Sequence, residues 1–382
     1  MNKPKGIGVT LPPLRVILAN AGIQSNTLPC LRYCLILFAW TRIFFSIEAE
    51  WMNHLLHLDL PFSSLFMRLD SQWYMQIVDY GYNVVAPSGF PHALTPFFPL
   101  FPLLVKIMTF VTGSTPFLSG PLVSNACFFG ALCLFYQMLE SRFDTSTARL
   151  GCLLLAVSPY NIYFMAGYTE SLYLLLMLGF WMAAQRRHWL WMGIMGGLMS
   201  ATHPNGVLIG VFALWFIWED AQQNKGPWRQ YWPIVLIPLG LVAYMVFLYF
   251  EMGDPLAFLH YQVYWDRKGW HLHGFWSQLL YEVHTYPYSV CVYVLGLALS
   301  VLLWRRQLRK EALFIPVFLS MAIVSGSLMS LARFTGGAFS FYLGWTLLLQ
   351  DRPRWQVGMV MLALASSIPL MYYWLLQMDP AF

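Results

Sequence analysis

The stretch 66–102 reads FMRLDSQWYMQIVDYGYNVVAPSGFPHALTPFFPLFP. It sets two carboxylates, Asp70 and Asp79, and one guanidinium, Arg68, among a dense group of aromatics in an otherwise largely apolar chain. A carboxylate held at a membrane surface can take a proton from an attacking hydroxyl, which is general-base chemistry. The same residues have a plainer use, because Asp70 can pair with the nearby Arg68 as a solvated loop aspartate. Asp79 lies nine residues further on. On a helix turning about 100° per residue, that puts it opposite Asp70, where it can serve structurally by capping the turn at Gly81. Glu170, in YTES, begins an apolar run. It suits either a helix N-terminus, where the dipole favours an anion, or a contact with a substrate hydroxyl.

A second set of side chains suits anion binding. His203 lies in THPNG at 202–206, a break in an apolar run, and interrupted hydrophobic segments mark binding sites. Arg267 and Lys268 stand in WDRKGW, and Arg333 in LARF at a span boundary. Arginine's planar fork grips phosphate with two parallel hydrogen bonds. The plainer roles are turn capping for His203, pairing with Asp266 or lipid headgroups for Arg267 and Lys268, and snorkelling for Arg333. His271, His273 and His284 have no carboxylate at fixed spacing, so they are read as interfacial histidines and no metal site is predicted. Neither a P-loop nor a Rossmann fingerprint is present, so no soluble nucleotide-binding domain is expected.

The elements that must position these groups are membrane helices. The 382 residues are 58% hydrophobic and 10% charged, with mean hydropathy +0.56, whereas soluble domains are about a quarter charged. Repeated apolar runs of about 18–20 residues specify an all-α, polytopic integral membrane protein. Continuous rather than alternating runs exclude a β-barrel. The net charge of +5 sits in short connectors, the pattern of cytoplasmic loops rather than of nucleic-acid binding. All six cysteines fall in apolar runs, as buried thiols without a disulfide framework.

Spans are predicted at 31–47, 118–139, 148–164, 169–184, 189–218 (broken at 202–206), 231–250, 286–304, 312–331, 334–350 and 356–377, ten or eleven in all. The run 94–112 carries Pro96, Pro99, Pro102 and Lys106 and is read as an interfacial or re-entrant helix. Placing the basic connectors 142–149, 186–187, 225–229, 305–310 and 352–354 in the cytoplasm puts 48–117 and 251–285 on the other face, as two outer loops. One transmembrane domain is expected over 30–382. Residues 1–29 are Gly/Pro/Asn-rich and lack a signal-type apolar core. Their VILANAGIQ resembles translated bacterial intergenic repeat, so they are expected to lie outside the fold, ahead of the true start.

Three motifs taken together, RLDSQWYMQIVDYGY, TPFFPLFPLL and SPYNIYFMAGYTESLYLLLML, resemble the PIG-V-type mannosyltransferases of the GT-C class. That family's pattern runs R-W-D-x-x-W-Y-x-x-I-A-x-x-G-Y, then A-F-F-P-L-Y-P, then S-P followed by Y-[ST]-E-S. The resemblance continues through ATHPNGV, GDPLAFLHYQVYWDR and LARF and covers most of the chain from residue 31. Leu69 stands where the family has Trp, and His203 where it has Arg. The resemblance implies a GT-C-like fold with a catalytic first outer loop. It implies transfer of a mannosyl residue from a polyprenyl-phosphate (dolichyl-phosphate-type) donor to a glycolipid or glycan acceptor at the non-cytoplasmic face, with inversion. Asp70 matches the family's catalytic aspartate and would be the general base. Arg333 matches a family arginine. Arg267, Lys268, Arg333 and His203 would hold the donor phosphate, and Asp79 and Glu170 would be acceptor-side or secondary carboxylates. No metal or cofactor is implied beyond the lipid-linked sugar as co-substrate. The membrane would be a bacterial inner membrane, or the endoplasmic reticulum in a eukaryote. A transporter or flippase of lipid-linked glycans needs a similar groove, but also inverted repeats and polar in-span residues, neither of which the sequence has.

Overall fold

A backbone in lipid must satisfy its own hydrogen bonds, which long apolar runs do by folding as helices. The computed structural model describes residues 27–82, 92–224, 226–265, 275–324 and 327–378, apart from the side chains of Thr27 and 319–324. No strand occurs among the described residues. The helices are α1 Thr27–Leu55, α2 Phe62–Leu65, α3 Asp70–Tyr80, α4 Leu100–Thr112, α5 Pro116–Arg142, α6 Thr145–Ala156, α7 Asn161–Met165, α8 Glu170–Gln185, α9 Trp189–Thr202, α10 Ile209–Asn224, α11 Leu239–Met252, α12 Ala257–His260, α13 Phe275–Thr285, α14 Pro287–Arg305, α15 Arg309–Val324, α16 Leu331–Gly337, α17 Phe339–Leu349 and α18 Pro353–Leu375. Three 3-10 turns, Pro204–Leu208, Trp228–Leu236 and Tyr261–Trp265, join some of them.

Among the described residues, five helices are long and apolar enough to cross a membrane: α1, α5, Trp228–Met252, α14 and α18. The chain is an integral membrane protein. The other expected spans form shorter helices, 16 residues in α8, α10 and α15 and 14 in α9. A full crossing takes about 20 residues, and two breaks in the chain account for part of this shortness. One break is at Pro159, where the ring prevents helix continuation between α6 and α7. The other is at His203, whose extended backbone (φ −157°, ψ 144°) separates α9 from the following 3-10 turn, as its sequence led one to expect.

α5 is the hub. It packs against α1, α3, α4, α6 and α8, and Phe128, Ala131, Leu132 and Phe135 on it are fully buried. Arg42, inside α1, stacks its guanidinium over the Phe38 and Phe128 rings at 5.0 and 4.4 Å. A second apolar cluster joins α1, the turn around Phe66, residues 160–168 and the end of α18.

Helix occupies both ends of the stretch read as the first outer loop, 48–117. α1 continues through Glu48 to Leu55, because Glu48 turns inward and accepts a hydrogen bond from Ser367 Oγ of α18 at 2.7 Å. At its other end, Pro116 already opens α5, the position where a missing N–H costs nothing. Nor is 66–102 loop throughout, since α3 begins at Asp70. Ser71, Tyr74, Met75, Ile77 and Val78 give that helix a buried face. The proline-rich run ends in the 13-residue α4, too short to cross a bilayer.

Candidate active site

Asp70 is the first residue of α3. The residue before it, Leu69, has φ 52° and ψ −129°, a conformation a branched side chain adopts only under constraint. The constraint comes from both sides. Asp70 N–H donates to Tyr168 Oη at 2.9 Å, and Gly167 N–H donates to Phe66 O at 3.2 Å. From α18, Trp374 Nε1 donates to Leu65 O at 2.6 Å, and Arg68 Nη2 donates to Leu375 O at 2.8 Å. Arg68 therefore caps a helix C-terminus, where a cation complements the dipole. It is not the partner of Asp70.

That partner is Arg333, on α16. Its Nη1 donates to Asp70 Oδ2 at 2.8 Å, and its Nε lies 3.1 Å from Glu170 Oε1. The three side chains grade from 30% exposed at Asp70 through 16% at Arg333 to 7% at Glu170. The guanidinium also sits over three aromatic rings, Tyr163, Tyr168 and Phe334, at 5.2–5.6 Å. Glu170 opens α8, where the helix dipole and Arg333 both favour its ionised form, against the cost of its burial. The segment before Arg333 is fixed by Glu282 of α13, whose Oε2 accepts from Ser327 Oγ at 3.1 Å and from Leu328 N–H at 2.7 Å.

These groups face a cavity of about 160 Å³ lined by Asp70, Arg333, His203 and many aromatics, including Tyr74, Phe97, Tyr160, Tyr168, Trp265 and Tyr288. A smaller one, about 30 Å³, lies against Glu170, Tyr173 and Phe318 and shares His203, Arg333 and Phe334 with the first. Arg333 thus stands between the two. The His203 ring lies edge-on to Tyr173 and Phe334, at 6.3 and 5.4 Å. Of the residues singled out in the sequence, Asp70, Glu170, His203 and Arg333 converge here. Asp79 does not. It is exposed near the far end of α3, about 13 Å along the axis from Asp70, and Gly81 N–H is taken by Ile77 O. Arg267 and Lys268 lie outside the described residues, as do His271 and His273, although Gln262 and Trp265 just before them line the larger cavity. His284 is exposed in the last turn of α13. No cluster of three or more His, Cys, Asp or Glu able to hold a metal occurs among the described residues. Tyr160, Tyr168 and Tyr288 were not singled out in advance. The signal for the first two was their place within SPYNIYFMAGYTES.

Comparison with known proteins now bears on this geometry. Residues 92–250 match the family model described as dolichyl-phosphate-mannose-protein mannosyltransferase. Over that segment the chain is similar to glycosyltransferases of the GT-C class, and the match takes in Glu170 and His203. Among solved structures, the oligosaccharyltransferase of Archaeoglobus fulgidus, crystallised with zinc and sulfate, aligns at 15% identity and TM-score 0.45 over 82% of this chain. The chain spans about half that protein's length, 48%. No curated protein sequence matches.

Proposed function

We propose that the chain is a GT-C-class glycosyltransferase that moves a mannosyl residue from a polyprenyl-phosphate donor, of the dolichyl-phosphate type, to a glycolipid or glycan acceptor. The observation that carries this reading is Arg333, held on the cavity wall between Asp70 and Glu170. Transfer needs a base for the acceptor hydroxyl and a cation for the departing phosphate, close together at a membrane surface. The match over 92–250 and the motif resemblance support the choice of sugar and carrier.

The chemistry is a single displacement. The acceptor oxygen forms a bond to the sugar's C1 as the C1–O(phosphate) bond breaks, which inverts the anomeric centre. The hydroxyl proton passes to Asp70, whose Oδ1 has no partner among the described residues. The bonding pair leaves with the polyprenyl phosphate. Arg333 Nη2, likewise without an acceptor among the described residues, takes the phosphate charge, while the Glu170 carboxylate, 3.1 Å from Nε, holds the guanidinium by ion pairing. His203 borders the same cavity and donates to the phosphate, with Arg267 and Lys268 as further contacts. No metal takes part.

The membrane is a bacterial inner membrane, or the endoplasmic reticulum if the source is eukaryotic. The site opens to the non-cytoplasmic side, so cysteines introduced at Ser88 and Gly274 react with an impermeant reagent from that side only. The deciding experiment supplies the full chain in lipid nanodiscs with a short synthetic polyprenyl-phosphate mannose and a panel of glycoside acceptors. Transfer with inverted configuration is expected. Absence of transfer from folded protein with every acceptor would sink the proposal.

A further inference from the structure

The wall of the larger cavity has two chemically different parts. Around Arg333 and Asp70 it is charged. Around Tyr160, Tyr288 and Ser289 it carries hydroxyl groups and no formal charge. Tyr160 Oη and Tyr288 Oη lie 2.8 Å apart and share one hydrogen bond. Each phenol brings one hydrogen, so whichever donates, the pair keeps one O–H with no acceptor among the described residues. Ser289 is 4% exposed, and its Oγ accepts from Ala332 N–H at a long 3.4 Å, which leaves the hydroxyl hydrogen free for another partner.

The position of this pair is built into the fold. Gly336, one turn beyond Arg333 on α16, comes so close to the Tyr160 ring that a Cβ there would lie 2.2 Å from it. The helix that carries Arg333 therefore also seats Tyr160. Buried polar groups find partners, and a hydroxyl pair with hydrogen left over, set among aromatic faces, offers a ligand both donor and acceptor contacts.

Resting on the glycosyltransferase reading above, we infer that Tyr160, Tyr288 and Ser289 form the acceptor subsite, and that they receive an uncharged, hydroxyl-bearing group, the terminal sugar of a neutral glycan. A phosphate or carboxylate there would be desolvated without a cation of its own, since Arg333, the one Lys or Arg among the described residues lining the cavity, is taken by the donor phosphate. The donor phosphate takes the charged part of the wall, and the acceptor takes the neutral part.

The test uses the full chain in nanodiscs with the same synthetic donor. Neutral glycosides are compared with their 6-phosphorylated counterparts, in the wild type and in Tyr288→Phe and Tyr160→Phe. Neutral acceptors are expected to be used and phosphorylated ones not. Each Phe variant is expected to raise acceptor KM about five- to tenfold, the worth of one neutral hydrogen bond, with donor KM moving less than about twofold. A rise confined to donor KM, or preference for the phosphorylated acceptor, overturns the assignment. Glycoside binding is also measured without turnover, by saturation-transfer NMR on folded wild type and both variants. Binding lost in the variants upholds the subsite even if no donor is ever turned over, an outcome that would count against the transferase reading alone. Equal binding in all three proteins overturns the subsite whatever the transfer assay gives.

Discussion

Two kinds of buried charge cluster occur in this molecule, and they differ in how completely their bonds are filled. Near the basic connectors, Glu311 accepts from Arg142 Nη1 and from Trp181 Nε1, the latter at 3.2 Å. Asp220 nearby is held by Arg187 Nε at 2.8 Å, Tyr231 Oη at 2.7 Å and Asn224 Nδ2. Each of these carboxylates has several donors to itself, and neither borders the two cavities described above. At Arg333 the ratio is reversed. One guanidinium serves two carboxylates beside an open space, leaving Nη2 and Asp70 Oδ1 without partners among the described residues. The residue types are the same in both places. A filled network fixes the helices, whereas an unfilled one can accept a ligand.

The contrast can be broken most sharply at Asp70. Asp70→Asn is nearly isosteric and removes the proton acceptor. Transfer is expected at about 1% of wild type or below, with insertion and melting temperature unchanged. Near-normal turnover, with Glu170→Gln dead instead, would move the base to the other carboxylate. Arg333→Lys comes next. Lysine keeps the charge but cannot hold two carboxylates with one planar fork. Donor KM is expected to rise about tenfold or more, the cost of a charge-assisted hydrogen bond. An unchanged donor KM would show that the phosphate binds elsewhere.

Glu311→Gln should do the reverse. It weakens a filled cluster, so stability falls by about 1–3 kcal/mol, read as a lower melting temperature in detergent. Transfer per folded molecule stays within about twofold, and a selective loss of activity would erase the distinction between the clusters. Asp79→Asn gives the smallest effect. At an exposed position away from either cluster, the change is expected within about 0.5 kcal/mol in stability and invisible in transfer rate.

The sequence made the parts of the site legible but not their pairing. Asp70, Glu170, His203 and Arg333 each stand out by residue type and motif. That Arg333 bridges Asp70 and Glu170 depends on how α3, α8 and α16 pack, and the bridge to Asp70 spans 263 residues of chain. Arg68 shows the opposite error. Its nearness in sequence suggested a pair with Asp70, but the positive φ at Leu69 turns the chain between them and sends Arg68 to α18. The helix α3 was readable, because Ser71, Tyr74, Met75, Ile77 and Val78 follow helical spacing, yet its polar and aromatic content resembles a loop. Hydropathy marked the apolar segments, and five of them form helices long enough to cross a membrane among the described residues. It could not tell a single crossing from two short helices in series, since both are equally apolar. Tyr288 was the least visible, a tyrosine at a helix start that acquires meaning only beside Tyr160.

The cap that Arg68 places on Leu375 also has a bearing on biosynthesis. One of the contacts that fix the turn before Asp70, from Arg68 to Leu375, spans 307 residues. At about 5–20 residues per second, roughly 15–60 s of translation separate the two halves of that contact. Until α18 has emerged and inserted, Leu65 and Arg68 lack their partners, and the strained turn is held from one side alone, by Tyr168 and Gly167. A nascent or truncated chain therefore carries Asp70 on a turn fixed from one side, and full alignment of the carboxylate waits for the last helix to dock.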